Sequence, residues 1–116
     1  IGYAQEVATS EAMLLAEESG IDPEPLMDLL DSANALGEPT SIFLSHKVEG
    51  EYDLGFTMGL MEKDLKLLTE HGESNSSPLL LGNTIRQIVG YATTDRGEDV
   101  DCLELHAFLE DMMKRD

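Results

Sequence analysis

The stretch Ser10-Glu11-Ala12-Met13-Leu14-Leu15-Ala16-Glu17-Glu18-Ser19-Gly20-Ile21-Asp22-Pro23-Glu24-Pro25 decides the reading of the fold. Its first half carries apolar residues at helical spacing. Gly20 then stands where a helix ends in a left-handed residue. Asp22 takes a capping position and Pro23 the first turn of a second helix, where a missing N–H costs nothing. Upstream, Tyr3, Ala4, Val7, Ala8, Leu14 and Leu15 fall on one broad arc, so the first helix is expected over residues 3–19, with Glu11 inside that arc. A carboxylate there is expected to be structural, held by neighbouring backbone or hydroxyl groups. Downstream, Leu26, Met27, Leu29 and Leu30 extend the second helix to about Asn34.

The rest of the chain continues in the same period. Gly37 and Pro39 break it, Ser41-Ile42-Phe43-Leu44 reads as a short helix, and Val48 to Gly55 reads as loop. A helix is predicted from Thr57 to His71, stopped by Gly72, and another from Ser77-Pro78 through Leu81, Ile85, Ile88, Val89 and Ala92. The spacing Asp101…Glu104 resembles a capping box before a last helix with Leu105, Phe108, Leu109 and Met112. No segment alternates as a strand does. The expectation is a single all-α domain of five to six helices.

Composition narrows the function. The 116 residues hold 24 Asp plus Glu against 7 Lys plus Arg, a formal net charge of −17. That field opposes a nucleic-acid backbone or an anionic membrane surface, so neither is expected as a partner. No apolar run reaches the ~20 residues of a membrane span. A single cysteine, Cys102, excludes an internal disulfide and fits a reducing, cytoplasmic setting. The acidity itself is expected to reflect a halophilic, high-salt environment, where repulsion is screened, rather than a basic partner. The chain opens Ile1-Gly2-Tyr3, with neither methionine nor a signal-type segment, and is expected to be a piece of a longer one.

Few residues offer chemistry. On a wheel at about 100° per residue, Asp64 falls inside the apolar arc of Met58, Leu60, Met61, Leu65, Leu67 and Leu68. It therefore needs a hydrogen-bond or ionic partner. Lys63 lies on the margin of that arc, able to reach a cleft beside the helix. His46, His71 and His106 are dispersed, so no metal site is expected. Cys102, near a helix start, is a weak candidate for a lowered pKa. The six methionines read as core filling. Neither a glycine-rich dinucleotide fingerprint nor a P-loop is present.

At these residues the sequence resembles the C-terminal domain of the β-hydroxyacid dehydrogenases, the family of 3-hydroxyisobutyrate dehydrogenase and tartronate semialdehyde reductase. The resemblance rests on Ser10 to Ala16 leading into Gly20-Ile21-Asp22-Pro23. It rests also on Phe56 followed by Asp64 within Met61-Glu62-Lys63-Asp64-Leu65-Lys66-Leu67, and on the step from Gly97 to Asp101. It implies a helical domain of the 6-phosphogluconate dehydrogenase C-terminal-like type over residues 1–116, packed on an N-terminal Rossmann domain absent from this chain. The active site would lie between the two. There Lys63 would contact the NAD or NADP cofactor, and Phe56 and Asp64 would form and support the wall. The general acid/base lysine would lie upstream of Ile1, so no catalytic residue is expected here. The implied partners are that Rossmann domain, a small hydroxyacid, and further copies in a homodimer or higher homo-oligomer. The implied activity is NAD(P)-dependent oxidoreduction, with none expected of this piece alone. The alternative is a non-catalytic helical dimerisation or adaptor module.

Overall fold

The computed structural model describes residues 1–32 and 49–114. Their fold is all-α, as the periodicity predicts. The helices are α1 (Gly2–Glu18), α2 (Pro23–Ser32), α3 (Met58–Ser74), α4 (Leu80–Arg96) and α5 (Glu104–Lys114). The predicted break at Gly37 and Pro39 and the short helix at 41–44 lie outside the described residues.

The corner after α1 forms as the sequence dictates. Gly20 adopts φ +85°. Its N–H bonds the Glu17 carbonyl at 3.0 Å, and the Ile21 N–H bonds the Ala16 carbonyl at 2.9 Å. This paired closure satisfies the last carbonyls of the helix and needs a left-handed residue between them. Pro23 then opens α2.

Two boundaries differ from the predicted ones for one reason. Gly72 does not stop α3, which continues to Ser74. A Cβ on Gly72 would lie 2.8 Å from Leu79 Cγ and 2.9 Å from the Ser77 carbonyl oxygen. The glycine thus lets the connecting loop approach the helix. Ser77 donates its N–H to the Gly72 carbonyl at 2.8 Å, closing that turn, so α4 begins only at Leu80.

Met58, Met61 and Leu65 of α3 meet Ile85, Val89 and Ala92 of α4, Leu105 and Phe108 of α5, and Val7 and Met13 of α1 in one core. Each of the larger ones, fully removed from water, contributes roughly 1.5–3 kcal/mol. Met112 and Met113, by contrast, are half-exposed, so the methionines are not all core filling. The buried face of α1 is rotated from the predicted arc. Glu6, Thr9, Ser10, Met13 and Ala16 are buried with Val7 and Leu14, while Ala8 and Glu11 are exposed and Leu15 is 62% exposed. Glu11 is therefore not a buried structural carboxylate. The physical reason is that α1 packs against α2, α4 and α5, and its dispersed apolar residues leave the choice of face to those neighbours.

The start of α3 is tied to the segment ahead of α5. Met58 and Gly59 donate to the carbonyls of Val100 and Glu98 at 2.8 and 2.9 Å, and Cys102 donates to the Phe56 carbonyl at 2.7 Å. The Asp101 carboxylate accepts from Leu103 N–H at 3.0 Å, near the start of α5, and from Gly55 N–H at 2.9 Å. Thr57 caps α3, its hydroxyl accepting from Leu60 N–H at 3.3 Å. These bonds fix Phe56 beside the first turn of α3. Among the described residues, no helix is long and apolar enough to cross a membrane.

Candidate functional site

The outer face of α3 carries the residues singled out by the sequence. Lys63 and Asp64 are both exposed. Around them Leu60, Leu67 and Leu68 are also open, at 44%, 57% and 51% exposure. The apolar arc of α3 is thus wider than the core it packs against, and Asp64 is not buried as its place in that arc suggests. It does have the expected partner. Tyr3 of α1 donates its hydroxyl to Asp64 Oδ2 at 2.8 Å.

Tyr3 also meets Phe56, with ring centroids 6.3 Å apart and planes inclined by 27°. The structure therefore gathers Phe56 and Asp64 around Tyr3, a residue the sequence assigns only to the core arc. The available signal was the phenol itself: a partly buried tyrosine needs a partner for its hydroxyl. Asp64 was a carboxylate in need of the same. Burial raises the Tyr3 pKa, and the hydrogen bond to the Asp64 carboxylate raises it further, so the phenol stays protonated as the donor. Tyr3, Asp64, Leu68, Leu80 and Leu81 line a cavity of about 500 Å³. Its walls are apolar apart from the Tyr3–Asp64 pair.

Positive charge is sparse and mostly engaged. Arg96 forms an ion pair with Asp95 at 3.2 Å and donates to the Ala107 carbonyl at 3.3 Å and to Asp111. Lys114 pairs with Glu110 at 2.9 Å, and Arg86 donates to the Thr69 hydroxyl at 2.8 Å. Among the described residues, no hydrogen bond or ion pair engages Lys63. It is an ammonium on an apolar face, available to an anionic group. The glycine-rich dinucleotide turn does not occur in this sequence, so nothing here forms a phosphate cradle of that kind.

A second polar cluster is internal. Glu6 is buried on α1, with Oε1 lacking a hydrogen-bond partner. Burial, and then the nearby Asp101 carboxylate, push its pKa up to about 8. At neutral pH it is chiefly the uncharged acid. Cys102 is buried too, and burial with the neighbouring Glu6 and Asp101 charges pushes its thiol up to about 12. That overturns the expectation of a lowered pKa: desolvation outweighs any help from the helix start, and no nucleophile results. Among the described residues, no three His, Cys, Asp or Glu side chains gather as a metal site requires.

Comparison with known proteins gives a consistent result. The family model for the NAD-binding region of NADP-dependent 3-hydroxyisobutyrate dehydrogenase matches residues 3–109. A Dictyostelium discoideum protein named as a probable mitochondrial 3-hydroxyisobutyrate dehydrogenase is 34% identical over 89 residues, covering 71% of this chain and 28% of its own length. The mitochondrial 3-hydroxyisobutyrate dehydrogenase of Rattus norvegicus is 32% identical over 89 residues, covering 71% of this chain and 27% of its own. The chain thus spans little more than a quarter of these relatives. The crystal structure of a 3-hydroxyisobutyrate dehydrogenase from Salmonella typhimurium superimposes with a TM-score of 0.84 at 22% identity, over 92% of this chain and 38% of that one. The helical fold is shared.

Proposed function

Since this chain belongs to the NADP-dependent 3-hydroxyisobutyrate dehydrogenase family, we propose that it is the helical C-terminal domain of an NAD(P)-dependent hydroxyacid dehydrogenase. In this reading the outer face of α3 forms one wall of a cleft closed by an N-terminal Rossmann domain. The observation that carries it is the open apolar face bearing Lys63 and Asp64, with Phe56 and Tyr3 gathered at its edge. A monomeric helical domain rarely leaves such a face in water unless something covers it.

The residues then have distinct tasks. Lys63 offers its ammonium to the anionic cofactor. Phe56 and the leucines exclude water from the wall, which strengthens every charge interaction inside. Asp64, held by Tyr3, supplies a fixed carboxylate at the rim. When bound, the nicotinamide supplies hydride transfer to and from the hydroxyl-bearing carbon of a small hydroxyacid. The lysine that moves the hydroxyl proton is assigned to the segment upstream of Ile1, so the chain by itself is expected to be inert.

Lys63→Ala in the full-length protein tests the reading. NADPH affinity should fall about tenfold, the loss of one charge-assisted contact. Unchanged affinity overturns the assignment of Lys63, and NADP-dependent turnover by the isolated chain overturns the division of labour.

The acidic surface fits a cytoplasm of molar salt, and the half-exposed Met112 and Met113 fit a homodimer contact. Salt there shrinks the Debye length to about 3 Å. Sedimentation and circular dichroism should then show a helical dimer in molar salt that dissociates and loses helicity on dilution. A helical monomer under both conditions overturns both points.

A further inference from the structure

Phe56 and Asp64 belong to different parts of the chain, the loop ahead of α3 and its second turn. Tyr3, from α1, touches both. Its hydroxyl donates to Asp64 Oδ2 at 2.8 Å, and its ring lies beside Phe56 at 6.3 Å between centroids. An exposed carboxylate on a helix is otherwise free to change rotamer. Ordering a flexible acidic side chain costs entropy at the moment a ligand needs it. A phenol on a packed helix removes that freedom beforehand. It occupies one carboxylate oxygen and leaves Oδ1 without a partner among the described residues.

The cavity shared by Tyr3 and Asp64 points the same way. Its other walls include Leu68, Leu80 and Leu81, so the hydrogen-bonded pair is the polar feature of an apolar space. A solvent-open hydrogen bond adds little to folding. Its consequence is orientation.

The geometry points to Tyr3 as a positioning residue of the cleft: its hydroxyl sets the Asp64 carboxylate and its ring sets Phe56, coupling α1 to the wall. This rests on the reading of the outer α3 face as an active-site wall. Tyr3 itself touches neither substrate nor cofactor in this scheme. It acts through the two residues it holds.

The test uses the full-length protein with NADP⁺ and 3-hydroxyisobutyrate as the probe pair. Tyr3→Phe keeps the ring and removes only the hydroxyl. It should lower kcat about tenfold, as misplacement of a group at a reacting centre does, while leaving KM for the cofactor and the thermal midpoint unchanged. Asp64→Asn should fall at least as far, and the double variant no further than Asp64→Asn alone. Tyr3→Leu should fall below Tyr3→Phe, because Phe56 then loses its neighbour. Wild-type turnover by Tyr3→Phe beside an impaired Asp64→Asn overturns the role of Tyr3 and leaves the wall intact. Losses that add in the double variant, or that track a lower thermal midpoint, also overturn it. Wild-type turnover by Asp64→Asn overturns the wall itself.

Discussion

Helices α1 and α3 are both 17 residues long, and each carries a carboxylate on the face expected to be buried, Glu11 and Asp64. Both carboxylates end up exposed, but at different cost to the helix that carries them. Helix α3 turns Met58, Met61 and Leu65 inward and leaves Leu60, Lys63, Asp64 and Leu67 open. Helix α1 rotates Glu11 out, but in doing so buries Glu6, Thr9 and Ser10 and exposes Leu15. In α3 Met58, Met61 and Leu65 fill the core, and the apolar arc is wide enough to leave Leu60, Leu67 and Leu68 outside it. In α1 the apolar residues are spread round the helix, and three packed neighbours choose the face. The cost falls on Glu6 and Ser10, whose side-chain oxygens lack partners. The gain is the placing of Tyr3 against Asp64.

The sharpest way to break this comparison is to truncate at its strongest point. Met61 is fully buried, at 0% exposure. Met61→Ala should destabilise the chain by about 3 kcal/mol, the transfer loss plus the cavity left behind. Urea unfolding at constant salt checks it. Leu15→Ala, on the exposed side of α1, should cost a small fraction of that. Equal losses at the two positions would remove the contrast.

An effect of opposite sign, present only at high pH, is expected from Glu6. Its folded-state pKa lies near 8, above its ordinary 4.5, so the folded chain binds this proton more tightly than the unfolded chain does. The resulting stability is fully present below about 4.5, is lost as pH rises toward 8, and is absent beyond. Asp101 raises the value further, and Glu6 in turn acts on Tyr3 and Cys102. Replacing the buried acid by an apolar side chain of similar volume, Glu6→Met, should flatten this fall and leave the chain more stable than the wild type above pH ~8. Stability measured across that range in both proteins decides the point. An identical slope in Glu6→Met would show that the acid is not isolated in the core.

The same contrast explains what the sequence could reveal. The corner at Gly20-Ile21-Asp22-Pro23 is readable because Gly20 and Pro23 each have a local backbone reason to be there, although no side-chain hydrogen bond of Asp22 caps α2 among the described residues. The α3 face is readable because its period is strong. Gly72 misleads, since a glycine serves close approach as well as helix ends, and only the approach of Leu79 and the Ser77 carbonyl distinguishes the two. The α1 face misleads because it is set by tertiary neighbours. Of the site, Lys63, Asp64 and Phe56 stand out by spacing and family likeness. Tyr3 does not, since its partnership with Asp64 spans most of the chain and no local pattern encodes it.

The smallest expected effect is also the one that bears most directly on function. Leu67 stands 57% exposed on the outer face of α3, one turn beyond Lys63. A surface truncation away from any cavity or cap ordinarily shifts stability by no more than about 0.5 kcal/mol. Leu67→Ala should therefore leave the urea midpoint of this chain nearly unmoved, in contrast to Met61→Ala on the buried side of the same helix. In the full-length protein the expectation reverses. If a second domain covers this face, Leu67 is buried there, and truncation removes apolar contact worth roughly 25 cal/mol per Å². The same substitution should then lower the full-length thermal midpoint. A variant silent in both settings would mean that the outer face meets water in the whole protein as it does here, and the wall would have to lie elsewhere.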